Sequence, residues 1–134
     1  MFEPIDHKDS DLEYRQAVRS GIEQRHGPLK SIPSRDELVG RWIHSLFSDD
    51  GTPYVLDREG TVHSKFDKVT NPKGKWEFSA DRFTDHSWCE PMPESGIDEG
   101  TWNIEIYHCM MTEDGTVVLW KGDGSLQMSL KRIK

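Results

Sequence analysis

A series of short strand-forming segments, each ended by a tight-turn signal, constrains the fold of this chain more than any other feature. From Gly40 onward, segments rich in aromatic and β-branched residues alternate with turn sequences such as Asp49-Asp50-Gly51 and Asn71-Pro72-Lys73-Gly74. Strands are predicted over residues 40–47, 54–56, 61–69, 75–79, 82–89, 101–111, 116–121 and 125–133. No connection offers the dozen or more residues of a parallel crossover, so neighbouring strands should be antiparallel.

Eight antiparallel strands in a row leave two exposed edges, and closure of the sheet into a barrel removes both. Eight strands also give a barrel with an interior that side chains can fill, or that can hold one small ligand. We therefore predict a mainly β fold, an eight-stranded antiparallel up-and-down barrel over residues 38–134.

One amphipathic helix should precede the strands. Ser10-Asp11-Leu12-Glu13 is a capping box, and apolar or small residues follow at the spacing of one helical face. Gly27 and Pro28 then provide a stop signal. The signals predict a helix over about 11–26, in a helical segment 10–27 that follows a flexible N-terminus at 1–9. At 134 residues the chain fits a single domain, 1–134.

Composition limits the partners. The formal net charge of −7 argues against a nucleic acid, whose phosphates require clustered Lys and Arg. No stretch approaches the roughly eighteen consecutive apolar residues of a membrane-spanning helix, so no membrane partner is expected. The N-terminus lacks the basic and apolar regions of a secretory signal, and Cys89 and Cys109 are therefore expected to be reduced thiols. We predict a cytoplasmic protein.

Alternation along the strands predicts which side chains face the interior, because the more apolar set should point inward. The long strand 101–111 has one set that contains two isoleucines and a tryptophan, and the last strand alternates cleanly. The residues predicted to be interior are Trp42, His44, Trp76, Phe78, Trp102, Ile104, Ile106, His108, Met110, Leu126, Met128, Leu130 and Arg132.

The segment Leu38-Val39-Gly40-Arg41-Trp42, after a short helical turn at 34–37, resembles the Gly-x-Trp opening of the calycin superfamily of lipocalins, fatty-acid-binding proteins and avidins. In lipocalins this Trp closes one end of the barrel beneath a basic side chain near the end of the last strand. Arg132 could supply that side chain here. The resemblance implies a lipocalin-like barrel, and an analogy of fold does not by itself fix a function.

The leading functional hypothesis is the binding of a small apolar or aromatic ligand inside the barrel. An apolar lining would surround the ligand, and His44 and His108 would orient it. The predicted ligand-binding residues are Trp42, His44, Trp76, Phe78, Trp102, Ile104, Ile106, His108 and Met128. The same residues also describe a filled core, and the presence of a cavity distinguishes the two hypotheses.

Two other functions stay open. A cofactor-independent isomerase, cyclase or lyase could use His44 or His108 as a general base, and no motif decides whether the chain is an enzyme. Alternatively, the outer face of Ile43 and Phe47, together with the helix stripe, could form a protein-interaction surface or the interface of a homo-oligomer. Whether the helix packs on its own barrel or on a neighbouring chain decides whether such an interface exists.

Motifs for metals and cofactors are missing from the sequence. No Cys-x-x-Cys, His-x-His or His-x-x-x-His spacing occurs, and no phosphate loop or dinucleotide fingerprint is present, so neither a metal nor a cofactor is expected. The segment from Asp85 to Glu90 gathers several reactive groups. Strand alternation points Asp85, Ser87 and Cys89 one way and His86 and Trp88 the other, which predicts no nucleophile–base pair within it.

Overall fold

The computed structural model describes residues 8–122, 124 and 126–133, with side chains from Glu13 onward. Helix α1 spans Lys8–His26, so it begins before the predicted capping box, and the side chain of Ser10 lies outside the described residues. The predicted flexible N-terminus likewise falls mostly on residues that are not described. Gly27, at φ +97°, ends the helix as predicted, and its N–H donates to the carbonyl of Glu23 at 2.8 Å.

The described residues form a closed eight-stranded antiparallel barrel, which confirms the predicted fold class. Its strands are β2 (Gly40–His44), β3 (Tyr54–Leu56), β4 (Thr61–His63), β5 (Gly74–Ser79), β6 (Arg82–Cys89), β7 (Thr101–Thr112), β8 (Val117–Trp120) and β9 (Met128–Arg132). Each strand pairs with the next along the chain, and β9 pairs with β2 to close the barrel. A two-residue strand that the sequence did not predict, β1 (Leu29–Lys30), adds to the end of β7.

The connections explain the up-and-down order. Ala80 and Asp81 both have positive φ, 53° and 62°, which is the geometry of a two-residue hairpin turn between β5 and β6. A short 3-10 turn at Arg35–Leu38 precedes β2, as the sequence predicts. In the part of the chain that the structure describes, no helix is long and apolar enough to cross a membrane.

The seam between β2 and β9 holds the predicted pair of Trp42 and Arg132. The Arg132 guanidinium lies 4.2 Å from the centroid of the Trp42 ring, and it donates to the carbonyls of Val39 and Glu37 at 3.1 and 2.6 Å. The Trp42 indole N–H donates to the Leu38 carbonyl at 3.0 Å. Fully buried residues such as Leu38, Trp42 and Leu56 fill this end of the barrel, so it is closed.

The helix packs on the outside of its own barrel. Ile22 is fully buried and Val18 partly buried, and both contact a second apolar cluster formed by Leu29, Met110, Val118 and Trp120. This cluster explains why all four residues of β8 are buried, since the helix covers their outward face. The apolar stripe of the helix therefore packs on the helix's own barrel and not on a neighbouring chain.

The structure corrects the predicted faces of β7. Tyr107 and Cys109 point into the barrel core, whereas Met110 lies under the helix. Trp102, Ile104 and Ile106 lie on the outer surface with exposed fractions of 36%, 56% and 52%. His108 is also outside the barrel, stacked on Trp120 at 5.4 Å. The prediction that these four residues and Met110 face the interior is wrong, because the set that contains Tyr107 and Cys109 faces the core although it also contains the polar Asn103 and Glu105.

Two strand ends also differ from the prediction. Strand β2 ends at His44, and the turn after it directs Phe47 toward the core while Leu46 becomes exposed. Phe47 therefore does not belong to an outer interaction surface, although Ile43 does stay exposed. Strand β9 begins only at Met128, so Leu126 lies in the preceding turn, half exposed, and not in the interior.

Candidate functional site

The barrel is hollow at the end opposite Trp42. A cavity of about 280 Å³, the mouth cavity, lies among the β2–β3 and β4–β5 connections and the end of β6. Aromatic rings and polar side chains both line it. The lining includes Phe47, Tyr54, Phe66, Asp67, Lys68, Asp85, Ser87 and Trp88. The presence of this cavity favours a ligand site over a completely filled core.

A smaller space of about 40 Å³, the inner recess, lies deeper in the barrel. It shares Phe47, Tyr54 and Asp85 with the mouth cavity. His44 and Tyr107 add polar groups, and the remaining walls are apolar, formed by residues such as Leu119 and Met128. The recess is large enough for a single water-sized group, so it suits the polar end of a ligand whose body fills the mouth cavity.

Asp85 is the central charged group of the site. Strand pairing places it opposite Trp76 on β5 and Glu105 on β7, on the face of β6 that points into the barrel. Among the described residues, none donates a hydrogen bond to its carboxylate or pairs with it. Burial raises the pKa of Asp85 to about 6, with the charge of His86 acting against this shift and that of Glu105 adding to it.

Two tyrosines, Tyr54 and Tyr107, line the inner recess together with Asp85. Burial raises the pKa of Tyr54 well above its usual value, and the negative charge of Asp85 raises it further. The pKa of Tyr107 rises to about 12 for the same two reasons, in the same order. Both hydroxyls therefore keep their protons near neutral pH and can donate hydrogen bonds to a ligand in the recess.

His44 is buried as predicted, and its ring has a fixed role. Nδ1 accepts the backbone N–H groups of Leu46 and Phe47 at 3.1 and 3.3 Å, so Nδ1 carries no proton and Nε2 carries the only one. The ring stacks on Phe47 at 4.2 Å, and burial lowers the pKa of His44 to about 4. His44 can thus donate a hydrogen bond through Nε2–H but is not placed to act as a general base.

The other charges at the mouth are already paired. Lys68 contacts both carboxylate oxygens of Glu90 at 2.9 and 3.1 Å. Asp67 pairs with Lys73 at 3.0 Å. Asp85 is therefore the one ionisable group among the described residues of the lining that has no partner of opposite charge. Within the same part of the chain, no three His, Cys, Asp or Glu side chains converge as metal ligands would.

The structure brings together only some of the residues predicted to bind a ligand. His44 and Met128 line the inner recess, and Trp42 and Trp76 are buried in the filled part of the core, with Phe78 packed against it. Trp102, Ile104, Ile106 and His108 lie outside the barrel and cannot line its interior. His108 is therefore no candidate for a base within the cavity.

Sequence analysis missed Asp85, Tyr54 and Tyr107 as site residues. For Asp85 a signal was available, because it shares a strand face with Phe83, which is buried in the core. The sequence predicts no nucleophile–base pair in the segment from Asp85 to Glu90, but the Asp85 carboxylate can act without such a pair. Tyr107 was assigned to the outside by the wrong choice of face on β7.

A comparison of the chain with protein-family models, with curated proteins and with solved structures found no match in any of the three.

Proposed function

We propose that this protein binds a small organic ligand in the mouth cavity, with the polar group of the ligand directed at Asp85. One observation carries the proposal: a cavity in the barrel is lined by aromatic rings and contains a partly buried carboxylate without a partner among the described residues. A few polar groups that converge in an otherwise apolar, concave site are the usual arrangement of a ligand pocket.

The size of the cavity limits the ligand. At about 280 Å³ it lies near the lower end of the range for ligand pockets, which starts at about 300 Å³. Phe47 and Phe66 supply flat apolar walls that suit an aromatic or compact aliphatic body. A ligand with a single ring fits this volume better than a fused polycycle does.

The proposal can be tested by NMR titration of the ¹⁵N-labelled protein with single-ring aromatic compounds that are neutral, anionic or cationic. Binding should shift the amide resonances of Phe47, Phe66 and Asp85. The variant Ser87→Phe places a ring in the cavity and should abolish the shifts. Thr84→Phe, on the opposite face of the same strand, is the matched control and should bind as the wild type does. Shifts that persist in Ser87→Phe would disprove the site.

A second candidate function is proton transfer without a cofactor. It is favoured by the pKa of Asp85, about 6, because a base that titrates near the working pH can both take and return a proton. Asp85 replaces the predicted histidines in this role, and the Tyr54 and Tyr107 hydroxyls would stabilise an enolate oxygen. Hydrogen–deuterium exchange at the α-carbon of small ketones, lost in Asp85→Asn, separates this activity from simple binding. Absence of exchange in the wild type removes the candidate.

We further propose that the barrel is of the calycin type. Two features support this assignment: Arg132 stacks on Trp42, and Gly40 lies two residues before Trp42. Gly40 has φ +144°, and a Cβ atom at this position would collide with the Arg132 guanidinium, so the seam requires a glycine here. A cytoplasmic location stays a prediction, and the two free thiols, Cys89 and Cys109, support it.

A further inference from the structure

We infer that the ligand of the mouth cavity carries a protonated amine, which Asp85 binds as its counter-ion beside the aromatic rings of Phe47, Tyr54 and Phe66. This inference rests on the proposed function and names the chemical class of its ligand. It follows from the balance of charge in the cavity, from the arrangement of the rings, and from the cost of an unpaired, partly buried carboxylate.

The side chains that line the cavity carry a net negative charge. Lys68 is the only cationic side chain among the described residues that line the mouth cavity, and both oxygens of Glu90 bind it. Asp67 is neutralised by Lys73. The charge of Asp85 is left over, so the cavity attracts a cation and repels a carboxylate or a phosphate. The net charge of the chain, −7, favours the approach of cations over a longer range.

The aromatic rings form a partial cage around the cavity. Phe66 stands almost perpendicular to Phe47, at an interplanar angle of 86° and a centroid separation of 5.3 Å. The Tyr54 ring lies 6.2 Å from that of Phe47, whereas the Trp88 ring packs on Trp102 at the outer surface. Ring faces attract cations through their quadrupoles, and cages of two or more rings are a recurring way to bind organic ammonium groups.

An amine would also supply what Asp85 lacks. A partly buried carboxylate without a partner is unfavourable, and an ammonium group can donate hydrogen bonds to it while its charge is compensated. The remaining N–H groups of the amine can reach the Tyr54 and Tyr107 oxygens, which accept as well as donate. A neutral ligand of the same shape would leave the charge of Asp85 uncompensated.

Binding of an amine should depend on pH through Asp85. The groups that face or act on Asp85 are His44, Tyr54 and Tyr107 in the recess, Glu105 on β7 and His86 on β6. His44 is neutral above about pH 4, both tyrosines stay protonated, and the pKa of Glu105 is lowered by its hydrogen bond to Lys121. His86 lies on the outer face and pairs with Glu77 at 2.7 Å. The variant Asp85→Asn removes the Asp85 carboxylate and leaves His86 in place.

The experiment compares benzylamine with benzyl alcohol, which has the same size and shape but no charge. Isothermal titration calorimetry and NMR titration are done with the wild type, with Asp85→Asn and with Glu77→Gln. Glu77→Gln removes one carboxylate from the outer face and controls for the overall charge. In the wild type at pH 7.5, benzylamine should bind about 10- to 100-fold more tightly than benzyl alcohol. This preference should vanish in Asp85→Asn, persist in Glu77→Gln, and decrease in the wild type as the pH falls from 7 to 5.

The possible results are distinct. If benzyl alcohol binds in the cavity as tightly as benzylamine, or if the preference survives in Asp85→Asn, the amine inference is wrong while the proposed function stands. If both compounds bind equally well to Ser87→Phe and to the wild type, or if neither binds, the proposed function fails and the inference fails with it.

Discussion

Replacement of Asp85 by asparagine should stabilise the protein at neutral and alkaline pH. The carboxyl group has a pKa of about 6 in the folded barrel and 3.8 as a free side chain. Between these two values the folded state binds more protons than the unfolded state, so the stability of the wild type falls as the pH rises. The folded state must ionise a partly buried carboxyl group that the unfolded chain ionises in water.

The magnitude follows from the two pKa values. A difference of about two in pKa corresponds to about 3 kcal/mol in the free energy of unfolding above pH 6. A carboxamide cannot ionise, so Asp85→Asn should gain up to about 3 kcal/mol at pH 8 and less than about 1 kcal/mol at pH 4, where Asp85 is largely protonated in the folded state. For a domain of this size, 3 kcal/mol amounts to roughly 10 °C in the melting temperature.

Urea unfolding followed by tryptophan fluorescence at pH 4, 6 and 8 measures this difference directly. The variant and the wild type are compared at each pH, so the protonation of His44, which both contain, largely cancels. Glu77→Gln should change the stability by less than about 0.5 kcal/mol at every pH, as an exposed carboxylate does. The reasoning is refuted if Asp85→Asn is destabilised at pH 8, or if its gain is the same at pH 4 as at pH 8.

Three further predictions test other parts of the structure. Ile22→Ala should lower the free energy of unfolding by about 2–4 kcal/mol in urea, because Ile22 is fully buried between helix and barrel; a loss below about 1 kcal/mol would mean that the helix does not pack there. Gly40→Ala should lower the free energy of unfolding by about 2–3 kcal/mol, because a Cβ atom here meets the Arg132 guanidinium. The control Gly51→Ala should cost less, since Gly51 also has positive φ but no neighbour within 4 Å; equal losses would contradict the contact with Arg132. A thiol reagent should modify only the exposed Cys89 in the native chain and both cysteines after unfolding, because Cys109 is buried and burial raises the pKa of its thiol. Two rapid reactions in the native state would show that Cys109 is accessible.

The strand order could be predicted from the sequence because it depends on local signals. Turn residues such as Asn71-Pro72 and Ala80-Asp81 mark the strand ends, and short connections leave only antiparallel pairing between neighbours. The closing pair of Trp42 and Arg132 came from a resemblance, and the structure places the two side chains as expected. The faces of β7 could not be predicted, because which set points inward depends on its partners: Tyr107 pairs with Phe83 on β6, and Cys109 with Leu119 on β8.

The candidate site was predicted only in part for a related reason. His44 was predicted to face the interior because it shares one face of the first strand with Trp42, although both faces of that strand are partly apolar. The role of His44 was not predicted. Its ring accepts N–H groups from the turn after β2, and the sequence predicted a strand over that turn. Asp85 gains its chemical interest from burial and from the absence of a partner among the described residues, and both are properties of the assembled barrel. No local pattern reveals that the lysines at the mouth are paired with other carboxylates.

The seam between β2 and β9 has a consequence for how the chain reaches its native state. Arg132 donates to the carbonyl of Val39, 93 positions earlier in the sequence, so the barrel closes through its most non-local contacts. Such contacts are slow to form, because the entropy of a long loop is lost before any stabilisation is gained. Until β9 docks, β2 has an unpaired edge that another partly folded chain can occupy. Closure therefore competes with intermolecular strand pairing during folding, and the contacts of Arg132 with Trp42, Val39 and Glu37 favour the intramolecular outcome.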